Sequence, residues 1–135
     1  MAIAEAHEGR TPFGAVVVRG GQVLARSFNT VRQQHDPTAH AEVNAIREAS
    51  SNVKSSRLEG ASLYTTCEPC PMCAAAAFFA GITDIYYGAD IPTISLYLPQ
   101  IDLRTRDVLE RTDRAIRVTQ VKDDGDYVQL LEQYG

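Results

Sequence analysis

The sequence predicts an α/β chain built on a mixed five-stranded sheet with helices on both faces. Three observations predict it. Strand-like and helix-like stretches alternate along the chain, an order that favours parallel crossovers. Two apolar runs near the start meet at Gly20-Gly21, the mark of a tight antiparallel hairpin. The stretch "PCPMCAAAAFFAG" is apolar nearly all round, so its helix should be buried. A length of 135 residues suits one compact domain spanning 1–135.

Residues 2–8 read as the end of a helix with Ile3 and Ala6 on one face. "FGAVVVRGGQVLARSF" reads as the hairpin. In "HDPTAHAEVNAIREAS" the spacing of Val43, Ile46 and Ala49 predicts a helix, capped by Asp36 or Thr38 with Pro37 in its first turn. "ASLYTT" is a short strand. The Ala/Phe helix follows, with prolines at its start, Gly81 as its stop, and Phe78 and Phe79 assigned to the core. "TDIYYGA" is the next strand. Pro92 and Pro99 break the region after it, and "DLRTRDVLER" suggests one helix. That helix lets the last two strands run parallel. "RAIRVTQV" reads as a strand near an edge. "DGDYVQLLEQY" closes the chain with Tyr127, Leu130, Leu131 and Tyr134 on one stripe.

Composition narrows the function. Hydrophobic residues make up 44% and charged residues 22%, both ordinary for a soluble globular protein. No apolar run reaches the roughly 18 residues that a membrane span needs. The first ten residues carry acids and lack a continuous apolar stretch, unlike a signal peptide. A cytoplasmic protein is expected, and three cysteines do not make a disulfide framework. The formal net charge of −4, with no basic run, fits a small substrate better than a large RNA.

Two segments carry the chemistry: "HAE" at 40–42 and "PCPMC" at 69–73. Each sits where the chain enters a helix, where backbone N–H groups favour negative charge and lower a thiol's pKa. His40, Cys70 and Cys73 offer one imidazole and two thiolates, three ligands for Zn²⁺. A tetrahedral zinc keeps its fourth position open, as catalytic sites do. Glu42 can carry protons without binding the metal. Cys67 ends a strand and reads as a packed free thiol. His7 and His35 read as surface residues. In an ideal helix His40 and Glu42 would face different ways, so the pocket must lie off the helix tip.

With "PFGAVVV", "DPTAHAEVNAIR" and "LYTTCEPCPMC", these motifs resemble the cytidine/deoxycytidylate deaminase superfamily, in the branch of guanine, cytosine and tRNA adenosine deaminases. The resemblance covers about residues 11–90. It implies a three-layer α/β/α cytidine-deaminase-like fold, zinc on His40, Cys70 and Cys73, and Glu42 as proton shuttle. It implies a base contact at Asn29 and another at the backbone N–H of Ala41. Phe13 is open between stacking on a base and packing in the core. The implied reaction is hydrolytic release of ammonia from a free nucleobase or nucleoside. Guanine comes first, with cytosine or another aminated heterocycle beside it. The flanking acids available to read a 2-amino group are Asp90, Asp102 and Asp107. A tRNA adenosine deaminase is the alternative, needing Arg32, Arg104, Arg106 and Arg111 on one surface. A non-enzymatic zinc module is the third reading, needing His7 or Cys67 as a fourth ligand. The resemblance also implies a homodimer, with the 71–80 helix and "ISLYL" as interface candidates.

Overall fold

The computed structural model describes residues 1–135. Helix α1 (Ala2–Gly9) precedes the hairpin of β1 (Gly14–Arg19) and β2 (Gln22–Phe28). A single turn, α2 (Val31–Gln34), leads to α3 (Ala41–Val53). Strand β3 (Ser62–Cys67), helix α4 (Pro71–Ala80) and strand β4 (Asp84–Ala89) follow. Two short helices, α5 (Ile91–Ile94) and α6 (Thr105–Leu109), come before edge strand β5 (Arg117–Gln120) and helix α7 (Asp126–Tyr134). No helix is long and apolar enough to cross a membrane.

The sheet order is β2-β1-β3-β4-β5. β1 pairs antiparallel with β2 and β3, while β3, β4 and β5 run parallel. Gly20 and Gly21 both take positive φ, as the two-residue hairpin turn requires. Alternate residues of the strands serve opposite faces. Ala15, Val17, Leu63 and Ile85 meet Ala41, Ala45 and Ala49 of α3 and Ala74 and Ala77 of α4 in the main core. Truncating a fully buried side chain such as Leu63 to Ala would cost about 2–5 kcal/mol. On the other face α1 lies over β1 and β2, and α7 over β4.

Gly14 sets how close α1 can come. A Cβ there would sit 2.6 Å from the Ala6 nitrogen and closer still to the Ala2 carbonyl. These are backbone atoms, which cannot rotate away. Gly14→Ala should therefore lower stability by about 3 kcal/mol, read as a lower urea midpoint with an unchanged slope.

Three expectations needed correction. The long helix begins at Ala41, not near Asp36. Asp36 instead accepts the N–H and hydroxyl of Thr38 (2.9 and 2.7 Å), closing a local turn. The helix expected over "DLRTRDVLER" is only Thr105–Leu109. On α4 the alanine face is buried, but Phe79 is 74% exposed and Phe78 half-buried. Close packing against the sheet and α3 suits alanines; Phe78 packs at the edge of the core beneath Arg114, and Phe79 alone points to solvent.

The register brings one end of the sheet to the pocket. Gly14 pairs with Phe28, Ala15 with Thr65, and Cys67 with Ala89. The start of β1 and the ends of β2, β3 and β4 thus lie together. The chain enters α3 and α4 at this same end.

Candidate metal centre

His40 is the N-cap of α3 and Cys70 the N-cap of α4. His40 has extended backbone angles (φ −67°, ψ 155°). It therefore escapes the helical periodicity that would turn it away from Glu42, the second residue of α3. Pro71 starts α4 at a position where a missing N–H costs nothing. The two helix starts face each other. His40 Nδ1 lies 3.6 Å from Cys70 Sγ and 3.6 Å from Cys73 Sγ. All three candidate ligand atoms fall within 4.8 Å of one another.

This donor set fits zinc. Bonds of about 2.0 Å to nitrogen and 2.3 Å to sulfur, at a tetrahedral angle, put N and S about 3.5 Å apart. The pair of thiols holds its charge unevenly. A hydrogen bond from Cys73 draws Cys70 down to about 4, and His40 adds to the effect. The same bond, with burial, pushes Cys73 up. His40 is raised, first by its bond with Cys70. Glu42 is only 6% exposed, and burial pushes its carboxyl up to about 7. A carboxyl held there can both take and give a proton near neutral pH.

A cavity of about 670 Å³ opens beside the cluster. His40, Glu42, Cys70, Asn29 and Phe13 all line it. Asn29 spends its side-chain oxygen on the Val31 N–H (3.0 Å), and its NH₂ makes no bond within the chain. Phe13 packs against both core clusters as well as facing the cavity. The Ala41 side chain is buried in the core, and that residue does not line the cavity. As the first residue of α3, its N–H has no acceptor within the helix. Cys73 is fully buried behind the cavity. Cys67 is buried too, with its thiol donating to the Pro12 carbonyl at 3.7 Å. His7 is exposed and bonds Tyr134 Oη at 3.0 Å. Neither belongs to the cluster of candidate ligand atoms.

Three positioning residues were not foreseen. Thr66 donates to the Pro12 carbonyl (2.6 Å) and accepts from the Gly14 N–H (3.0 Å), which fixes Phe13 between them. Asn44, one turn beyond His40, donates to the Phe28 carbonyl and the Thr30 hydroxyl, both at 2.9 Å. It thereby holds the loop that carries Asn29. Glu68 is buried with Arg104 at 2.9 Å. Tyr134, on the closing stripe, also lines the cavity.

The family model for the cytidine and deoxycytidylate deaminase zinc-binding region matches residues 1–89. Over 81 residues the chain is 54% identical to a tRNA-specific adenosine deaminase of Agrobacterium fabrum, covering 60% of this chain and 53% of that one. Over 79 residues it is 47% identical to a guanine deaminase of Bacillus subtilis, covering 58% and 51%. The chain spans about half the length of these curated relatives. A solved structure from a study of A-to-I editing by tRNA:A34 deaminases at the wobble position superimposes with a TM-score of 0.81. It is 36% identical, over 96% of this chain and 94% of that one.

Proposed function

This chain belongs to the cytidine and deoxycytidylate deaminase family, and we propose that it is a zinc-dependent hydrolytic deaminase of an aminated base ring. The observation that carries this is the cluster of His40, Cys70 and Cys73 at tetrahedral spacing, with buried Glu42 beside it. When bound, zinc supplies the Lewis acidity that makes a water nucleophilic near neutral pH. Glu42 would take one proton from the attacking water and give it to a ring nitrogen. As the water's oxygen bonds the amine-bearing carbon and the C–N bond breaks, Glu42 would pass the remaining hydroxyl proton to the amine, which leaves as ammonia. The Asn29 NH₂ and the Ala41 N–H hold acceptor atoms of the ring, and Phe13 bounds its face.

We favour a free base or nucleoside as the substrate, on the net charge of −4 and the lack of a basic run. Of the four arginines that a large RNA would need, Arg32 lines the cavity, Arg104 is bound to Glu68, Arg106 donates to the Val118 carbonyl, and Arg111 is exposed outside the cavity. Only Arg10 and Arg32 among the cations line the cavity. Guanine would need an acid for its 2-amino group. Asp90 is taken by the Thr93 N–H, Asp107 by the Arg104 N–H, and Asp102 does not line the cavity. Cytosine or another aminated heterocycle therefore stands level with guanine. Adenosine in a tRNA anticodon loop is the second reading, favoured by the 54% and 36% identities to tRNA deaminases. Ammonia release should be measured over guanine, cytosine, adenine, their nucleosides and a tRNA anticodon stem-loop at low salt. Turnover of a free ring is expected, and turnover confined to the RNA would defeat the free-base reading.

A second copy of this chain is the proposed partner. Phe79, Leu96 and Ile101 are 74%, 81% and 65% exposed, and Phe79 and Leu96 lie in the two segments expected at an interface. Sedimentation at micromolar concentration should give a dimer. Phe79→Glu with Leu96→Glu should give a monomer. A wild-type monomer would remove the proposal.

A further inference from the structure

Glu68 makes more hydrogen bonds than any other carboxylate near the cavity. Its Oε1 accepts from the Ile91 N–H at 2.8 Å and from Arg104 Nε at 2.9 Å. Its Oε2 accepts from Arg104 Nε at 3.0 Å and from the Thr105 N–H at 3.0 Å. Arg104 also donates to Tyr87 Oη at 3.3 Å, and the Thr105 hydroxyl donates to the Pro69 carbonyl at 2.6 Å. Glu68 is 4% exposed, and its own N–H is fixed to the Ala89 carbonyl of β4 at 2.8 Å. Ile91 and Thr105 are the two ends of one excursion of the chain. The middle of that excursion, Leu98, Pro99 and Gln100, forms a wall of the cavity.

We infer that Glu68 is the positioning residue for this wall: one buried carboxylate clasps both ends of the segment 91–105 and holds Leu98 to Gln100 against the substrate. The chemistry needs a carboxylate. Four donor contacts converge on two oxygens that carry no hydrogen. An amide would turn its NH₂ toward either the Ile91 N–H or the Thr105 N–H, leaving one donor facing another. The Glu68 carboxylate makes none of its bonds to α4, whose start places Cys70 and Cys73. Loss of the clasp therefore weakens substrate binding more than the chemical step.

The test compares Glu68→Gln with the wild-type chain, both zinc-loaded. Amide exchange across 91–98, where the N–H groups are bonded, should quicken about tenfold or more, with exchange in α3 and α4 unchanged. Zinc content should stay at one per chain. KM should rise about tenfold while kcat falls by less than about threefold. Thr105→Pro supplies a second variant should the first fail to fold. Thr105 is the first residue of α6, and Arg104 before it is already extended (φ −75°, ψ 153°), so proline fits there and removes one end of the clasp together with the hydroxyl's bond to the Pro69 carbonyl. It should give the same local exchange pattern, less strongly. The inference is overturned if Glu68→Gln loses zinc, if exchange rises uniformly through the core, or if exchange across 91–98 and KM stay at wild-type values. The kinetic arm rests on the deaminase reading. A chain that turned over no ring would defeat that reading, and the exchange arm would still decide this one.

Discussion

Glu42→Ala should abolish ammonia release, with kcat down by at least about 10²–10⁴-fold, while zinc stays bound at one per chain. The structure separates the two outcomes. Glu42 lies beside the metal cluster, yet none of the three candidate ligand atoms belongs to it. Its carboxyl is shielded from solvent and poised near neutral, which suits a group that must accept a proton and then give it up. Removing it leaves the metal donors in place and takes away the carrier. Glu42→Gln should be equally inactive, because an amide keeps the shape and loses the basicity. Zinc content by atomic absorption, measured beside turnover, checks both halves. An active, zinc-loaded Glu42→Ala chain would overturn the mechanism.

Chelation of zinc should end activity and also loosen the fold. The metal would join the starts of α3 and α4, two helices that pack together on the sheet. A ligand held about 1,000-fold above its Kd adds roughly 4 kcal/mol to folding. In a domain of this size that corresponds to a fall in Tm on the order of 10–15 °C on removal. Calorimetry with and without a strong chelator measures it, and Cys73→Ser should imitate the chelated state. A Tm indifferent to chelation would mean that the three donors are not a metal centre.

The parts of the site that could be read in advance were those with local causes. Cys70 was legible as a helix start because the proline that follows it is a short-range signal. The hairpin was legible from Gly20-Gly21. The true start of α3 was not, because Asp36 had two local bonds of its own to satisfy. Phe79 was misread because a helix apolar on every side carries no stripe to say which face is inside. Glu68 gave no sign, since the partners that define it lie 23 to 37 residues further on. The one available hint was an acid lodged in "TCEPC", between a strand and a buried helix. Asn44 looked like any polar position on an amphipathic helix.

The walls of the cavity are drawn from nearly the whole length of the chain, from Gly9 to Tyr134, while the metal donors lie between His40 and Cys73. As the protein leaves the ribosome from its N-terminal end, these two features cannot mature together. The donors have all been synthesised once Cys73 is added. The pocket waits for Tyr134, far later in the chain. During translation, a nascent molecule can therefore capture its metal well before it can hold a substrate.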